Sequence, residues 1–276
     1  MAENFNRVFA ESGGKTAIND VEYADGWDFI GDNPPEVEDF NSVMNEQDLK
    51  LQELNGSKIS SVLVTVLTVS DPVWTPNPLA KSIEFTVIGG GGGGGGVDGQ
   101  GAGTAGASGG GGGGGSAIKT ISTVDATYNI TIGAGGAGGA PANDGSNGGA
   151  TTIVSTNVNI AANGGRGGIG ITATTGTTGA GIGNKLGGTA TGGDVNVQGS
   201  RSGAAKVGAG EIDSTSFGGS SILGMGAPPA YAALDPGADD ADFSGGGGGG
   251  VFVKGGATND TGGTGADGIV IIREYI

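Results

Sequence analysis

The sequence predicts a mainly β protein whose glycine-rich segments form polyglycine-II helices, preceded by a small irregular module with one short α-helix. Three glycine runs, at residues 89–96, 109–115 and 245–250, have no side chains with which to build a hydrophobic core. Segments rich in β-branched residues lie around them and favour a strand framework. Only five of the 66 glycines precede Ile88. We therefore divide the chain into an N-terminal module, residues 1–58, and a glycine-rich domain, residues 59–276.

Composition excludes several classes of function. The formal net charge is −16, and no Lys/Arg cluster is present that could release counterions from nucleic acid. The chain has neither histidine nor cysteine, which excludes Ser-His-Asp and Cys-His catalysis, disulfides, and imidazole or thiolate metal sites. No apolar stretch approaches a membrane span or a signal-peptide core. We expect a cytoplasmically made protein with no cofactor, no membrane insertion and no enzymatic activity.

The N-terminal module is predicted to contain one helix. Asp39 is a plausible N-cap, and the helix would end at Leu54 before Asn55-Gly56. Apolar residues in this helix follow the spacing of a coiled-coil seam with one polar layer. The seam residues are Phe40, Met44, Gln47, Leu51 and Leu54. The helix either packs on its own module or forms a parallel, most simply trimeric, oligomer seam.

The module also resembles the N-terminal segment of many bacteriophage tail-fibre and tail-tip proteins. The resemblance rests on Phe9-Ala10, Gly13-Gly14-Lys15, Ile18, Gly26, Pro34-Pro35 and Asp39-Phe40-Asn41. It implies attachment to other tail proteins and a homotrimer. The apolar and capping residues that would make this attachment are Phe9, Ile18, Trp27, Phe29, Asp39 and Phe40.

Strand patterns begin after the module. Residues 62–69 are β-branched and almost continuously apolar, which predicts a strand covered on both faces. Residues 82–88 alternate and lead into the first glycine run. Further strands are predicted at 128–132, on a face formed by Val154, Thr156, Val158 and Ile160, and at 251–253. The Trp74-Thr75 and 82–88 segments, with the closing residues 268–275, resemble the glycine-rich domain of phage tail proteins and some bacterial surface proteins.

The geometry of polyglycine II explains how glycine runs can be ordered. This helix has three residues per turn and directs every backbone donor and acceptor outward. An interior helix of a stack needs glycine at every position, whereas an edge helix needs it at one or two positions of three. The three runs fit the interior, and the edge candidates are Gly164, Gly167 and Gly170, with Gly262, Gly265 and Gly268. The alternative is that the runs are flexible linkers.

This arrangement is similar to the distal adhesin of the long tail fibres of T-even-type phages. In those adhesins a sandwich of polyglycine helices displays variable loops to host receptors. The resemblance implies that loops of the glycine-rich domain recognise a bacterial surface receptor, a glycan or an outer-membrane protein. It also implies that the protein is carried on the virion tail.

Two motifs could suggest other chemistry. Residues 101–106 and 133–138 match GxGxxG, but neither lies in a βαβ unit, and such matches are frequent at this glycine content. Residues 262–269 match a single calcium-binding nonapeptide, whereas such sites need tandem copies. We interpret all three as structural glycines.

Residues 217–243 are the predicted receptor-contact region, because they combine aromatic and acidic side chains. The candidate contacts are Phe217, Tyr231, Asp235, Asp239, Asp240, Asp242 and Phe243. The acidic residues could also hold calcium or hydrolyse glycosides, or simply form a solvated loop tip. The alternative for the apolar residues is a satellite core, formed by Ile222, Leu223, Met225, Tyr231 and Leu234.

The leading hypothesis is therefore a phage receptor-binding tail fibre or tail-tip protein. A purely structural tail or decoration subunit without receptor contact is the main alternative. A polysaccharide depolymerase using Asp239 and Asp240 is a third possibility, and an ice-binding protein is a fourth.

Overall fold

The structure is a computed structural model that describes residues 47, 49–51, 61–101, 103–175, 182–183, 185–208, 211–214, 216–231, 238–254 and 259–276. The chain divides into two units, residues 1–60 and 61–276. In the first unit Gln47 and residues 49–51 are helical and exposed. The predicted attachment residues and the seam residues Phe40, Met44 and Leu54 lie outside the described part of the chain.

The second unit is built from short strands, and the sequence-based expectation of a mainly β fold is confirmed. The strands are β1 (Val62–Leu67), β2 (Asp71–Trp74), β3 (Ser82–Ile88), β4 (Val97–Asp98), β5 (Thr104–Ala107), β6 (Ser116–Ile121), β7 (Tyr128–Thr131), β8 (Thr151–Val154), β9 (Asn159–Ala162), β10 (Ile171–Thr172), β11 (Thr174–Thr175), β12 (Ile182–Gly183), β13 (Ala190–Thr191), β14 (Val195–Val197), β15 (Ala204–Gly208), β16 (Glu211–Ser214), β17 (Ala230–Tyr231), β18 (Val251–Lys254) and β19 (Ile269–Tyr275).

Ten of these strands form a sandwich of two five-stranded sheets. One sheet has the order β1-β19-β3-β6-β14 and the other β13-β9-β8-β7-β2. Their facing side chains form one core, with Trp74, Phe85 and Tyr128 at its centre. The three rings lie 5.2 to 6.2 Å apart between centroids in tilted or edge-on geometry, as aromatic clusters prefer. This sandwich is the hydrophobic anchor of the domain.

Two strand predictions are wrong. Residues 154–160 are not one strand, because Ser155 N–H donates to Val158 O at 2.8 Å and turns the chain between β8 and β9. The strand near residue 62 is not covered on both faces either. β1 is an edge strand whose Val62, Leu63, Val64 and Val66 are 44 to 54% exposed, and only Leu67 packs against the core. An uninterrupted apolar run does not reveal how much of its strand stays exposed.

A hydrogen-bonded turn beside this sandwich gives one pH-dependent prediction. The carboxylate of Asp125 accepts hydrogen bonds from Ser155 Oγ at 2.5 Å, from Asn157 N at 3.0 Å and from Asn157 Nδ2 at 2.6 Å. These bonds, with that from Ser155 the most important, lower the pKa of Asp125 below its usual 3.8. A lowered pKa in the folded state contributes stability above the unfolded value, and this stability is lost as pH falls through the folded value.

Asp125→Asn is therefore expected to destabilise the domain most at neutral pH. The difference from the wild type should shrink as the pH falls below about 3.8 and through the lowered pKa of Asp125 in the folded state, where the wild-type carboxyl becomes protonated. Denaturant unfolding over a pH series measures this difference. Ser155→Ala should weaken the same pH dependence. A difference that does not change with pH would contradict this account.

The glycine runs form the centre of a hydrogen-bonded stack. The N–H groups of the first run donate in a repeat of three. The first N–H of each repeat donates to the second run, the second to residues 143–149 and the third to residues 261–268. Its carbonyls accept from residues 133–140, from residues 163–171 and from the third run. A period of three with six neighbours is the hexagonal packing of polyglycine II. The second and third runs likewise have six neighbours each, and the three runs contact one another.

Nine further segments surround the three runs within the described part of the chain. They are residues 133–140, 143–149, 163–170, 185–189, 198–203, 216–221, 224–229, 238–241 and 261–268. We call the three runs and these segments the lattice. At a rise of about 3.1 Å per residue, its longest segments span about 25 Å. The predicted stack is confirmed, and the linker alternative is wrong.

Side chains complete the hydrogen bonding at the perimeter of the lattice. Asp144 and Asn147 accept from the N–H groups of Gly170 and Gly167, both at 2.9 Å. Asp267 accepts from Gly135 N at 2.7 Å. These side chains replace neighbours that edge segments lack, and buried donors require such partners. Part of the chain's acidity is thus a structural component of the lattice edge.

Candidate recognition surface

The sandwich lies at one end of the lattice. β3 runs directly into the first glycine run, and the second run leads directly into β6. Ser61 and Ile276 exchange backbone hydrogen bonds of 3.0 and 3.3 Å beside β1 and β19. Both ends of the glycine-rich domain therefore meet at the sandwich.

The opposite end of the lattice carries connecting loops and short strands, and we call it the loop end. The first run continues there into β4, the third run into β18, and residues 163–170 into β10. Three small sheets cap this end, with the orders β10-β4, β11-β5-β18-β17 and β12-β15-β16. Small apolar clusters around Val97, Val253 and Phe252 hold these sheets against the lattice. The loops therefore start from fixed positions about one lattice length from the sandwich.

Exposed hydroxyl and amide side chains lie beside β4 and on β11 at the loop end. Gln100 donates through Nε2 to Asp98 Oδ2 at 2.8 Å, and Asn259 accepts from Gly99 N at 3.0 Å. Thr174 and Thr175 are exposed on β11. Hydroxyl and amide groups can donate and accept hydrogen bonds without the desolvation cost of a full charge. This chemistry suits a ligand that is itself rich in hydroxyl or amide groups.

The predicted receptor contacts do not form one site. Phe217 is exposed near the loop end, where its carbonyl accepts from Gly203 N at 2.9 Å. Tyr231 lies in β17, also at the loop end. Phe243 lies at the other end of the third run, since its carbonyl accepts from Gly246 N at 2.8 Å. Asp235 lies outside the described residues.

Asp239 and Asp240 lie along the side of the lattice rather than in a loop tip. The carbonyl of Asp239 accepts from Gly249 N at 3.2 Å. The carboxylate of Asp240 accepts from Thr264 N at 2.7 Å and so supports the lattice edge. Asp242 is exposed directly before Phe243. Among the described residues, no group of three or more His, Cys, Asp or Glu side chains could hold a metal ion.

The satellite-core alternative is wrong for Ile222, Leu223 and Met225, and the structure does not test it for Tyr231 and Leu234. Ile222, Leu223 and Met225 are exposed, and with Phe243 they line the turns at the sandwich end of the lattice. Gly224 lies directly against the backbone and Cβ of Phe243. We call Ile222, Leu223, Met225 and Phe243 the apolar flank. It is separated along the lattice from the loop end.

The glycines of the apparent ligand motifs have structural roles in the lattice or in a turn. Gly135 and Gly138 of the second GxGxxG match face residues 262–266, and an added Cβ would collide with backbone atoms there. In the first match, Gly101 and Gly103 have φ of 102° and 84° in the turn before β5. Gly262 and Gly265 of the nonapeptide match face the first run. These contacts explain the glycines without a nucleotide or calcium ion.

A comparison with protein-family models matches residues 65–275 to a glycine-rich domain. The chain belongs to this glycine-rich domain family. The match covers the sandwich strands from Thr65 onward together with the whole lattice and the loop end. Comparison with curated proteins finds no match. Among the described residues, no helix is long and apolar enough to span a membrane.

Proposed function

We propose that this chain is a bacteriophage tail-fibre or tail-tip protein. It attaches to the virion tail through its N-terminal module and binds a bacterial surface receptor at the loop end. The observation that supports this proposal is that the two ends of the glycine-rich domain differ. Ser61 and Ile276 meet at the sandwich, whereas three small sheets and the connections between their described strands lie at the opposite end of a hydrogen-bonded lattice. Variable loops on a fixed scaffold are a common form of recognition site.

The receptor is a surface glycan or an exposed loop of an outer-membrane protein. The hydroxyl and amide side chains of Gln100, Thr174, Thr175 and Asn259 support this chemistry. The lattice limits the loss of conformational entropy on binding, because its loops start from ordered positions.

Binding of the labelled full-length chain to a panel of bacterial strains tests the proposal. We expect binding to susceptible strains, and competition with phage adsorption on them. The triple variant Gln100→Ala/Thr174→Ala/Thr175→Ala should weaken binding by at least about tenfold, as loss of central contacts usually does. Phe243→Ser, on the apolar flank, is the matched control and should bind like the wild type.

The alternative is a structural tail subunit, and the exposed apolar flank is the observation that favours it. In that case the purified chain would bind no strain, and Phe243→Ser would instead impair its incorporation into particles. Cell binding that the triple variant retains in full would contradict the loop end as the site.

A further inference from the structure

The outer edge of β1 has no strand partner among the described residues. Ser61 and Ile276 exchange both of their hydrogen bonds. In an antiparallel pair, residues that exchange two backbone hydrogen bonds alternate with residues that exchange none. Counting from Ser61, Leu63, Thr65 and Leu67 therefore also direct their N–H and C=O groups toward β19. The N–H and C=O groups of Val62, Val64 and Val66 therefore point away from the sheet. Within the part of the chain that the structure describes, β1 is the last strand on this side of its sheet.

The other three edges of the sandwich are protected in ways that β1 is not. β2 contains Pro72 and a register irregularity. β13 has two residues and is followed by Gly192 at φ 80°. β14 has three residues, and Asp194 beside it binds Lys119 at 2.6 Å. Proline, irregular pairing, short length and charge are the devices that prevent edge pairing. β1 has six residues, no charge and no proline.

The outer face of this edge is also apolar. Val62, Val64 and Val66 are 48 to 54% exposed, and Ile271 beside them on β19 is half-buried. The nearest charges neutralise each other, because Arg273 Nη1 lies 2.6 Å from Glu84 Oε1. A neutral apolar patch beside free backbone donors and acceptors is suited to strand addition.

We propose that a second copy of this chain pairs with β1, antiparallel and about a two-fold axis at Thr65. This register places Thr65 opposite Thr65, Leu63 opposite Leu67 and Val64 opposite Val66. Each pair joins like or β-branched side chains on the same face, which stabilises a sheet. The sequence before Ser61 contains no other uncharged β-branched run of this length. A second copy supplies one, so the edge is complementary to itself.

The pairing has a consequence for the two lattices. β3 runs from the sandwich into the first glycine run, so the strands lie along the lattice direction. An antiparallel pair of sandwiches therefore directs its two loop ends away from each other. The pairing itself involves only the sandwich edge, so it can be tested separately from receptor binding at the loop end.

Light scattering of the full-length chain over a dilution series tests the pairing. We expect twice the mass of one chain at high concentration. Val64→Lys, which introduces the side chain that natural edges use for protection, should give the mass of one chain. Val195→Lys is the matched control, because Val195 has similar exposure on the same outer face but lies at the protected edge. It should remain a dimer.

Disulfide cross-linking locates the axis. The chain has no cysteine, so Thr65→Cys adds a single thiol that would oppose its copy within about 4.5 to 5.5 Å between Cα atoms, a distance that a disulfide can span. Oxidation should give a cross-linked dimer, whereas Val69→Cys should not. A monomeric wild type, a dimer unaffected by Val64→Lys, or a dimer without cross-linking through Thr65→Cys would overturn the proposal. So would a trimer unaffected by Val64→Lys, which would favour the predicted helical seam.

Discussion

Gly92→Ala is expected to destabilise the glycine-rich domain by about 3 kcal/mol or more, because the new methyl group has no space. The added Cβ would collide with the carbonyl of Arg166 and approach that of Gly165. Arg166 cannot move aside freely, since its carbonyl accepts from Gly112 N at 2.8 Å and its N–H donates to Leu186 O at 3.1 Å. Displacing one segment would therefore break bonds in two others, each worth about 1 kcal/mol.

Denaturant unfolding measures this loss. Ala137→Ser is the matched control, because Ala137 lies in an outer lattice segment with its side chain exposed. A surface change of this kind should alter stability by no more than about 0.5 kcal/mol. If Gly92→Ala were as stable as this control, the first run could not be packed on all sides.

The sequence predicted the lattice because its requirement for glycine is local. A position that contacts a neighbouring backbone cannot carry a Cβ, so interior segments are pure glycine and many edge segments keep a period of three. Gly164 and Gly167 were recognised in this way, and both face residues 143–149. The similar lengths of the three runs, about 19 to 25 Å at the rise of this helix, further indicated a single stack.

The sequence analysis missed lattice segments that lie at a corner and have few neighbours, for the same physical reason. Residues 238–241 contain no glycine, yet they bond to the third run and to residues 261–264. A corner segment has few neighbours, so its side chains can point outward and leave no glycine signal. The acidic residues Asp239 and Asp240 therefore resembled a loop tip although they form part of the lattice side.

The candidate site could be predicted only in part, because sequence does not show at which end of the lattice a connection lies. Phe217 and Phe243 are close in sequence, and the sequence segments around them have similar compositions. The segments between them cross the lattice more than once, and the two side chains finish near opposite ends. The end at which a side chain lies depends on how many times the chain has crossed the lattice before it. Counting these crossings requires knowledge of every segment, including those without glycine.

Phe85→Ala is expected to cost about 3–5 kcal/mol, the usual effect of truncating a fully buried phenylalanine. Phe85 is completely buried and contacts both Trp74 and Tyr128. Val154→Ala, at an exposed position of the same sandwich, is the control and should change stability by no more than about 0.5 kcal/mol.

Phe85→Ala also tests whether the sandwich and the lattice unfold together. The first and second runs are continuous with β3 and β6, and glycine segments bury no side chains of their own. We therefore expect the sandwich core to supply the hydrophobic stabilisation that the lattice lacks. Amide hydrogen exchange should then show equal loss of protection in β3 and in the glycine runs of Phe85→Ala. Protection that persists in the runs while β3 exchanges would mean that backbone hydrogen bonds alone maintain the lattice.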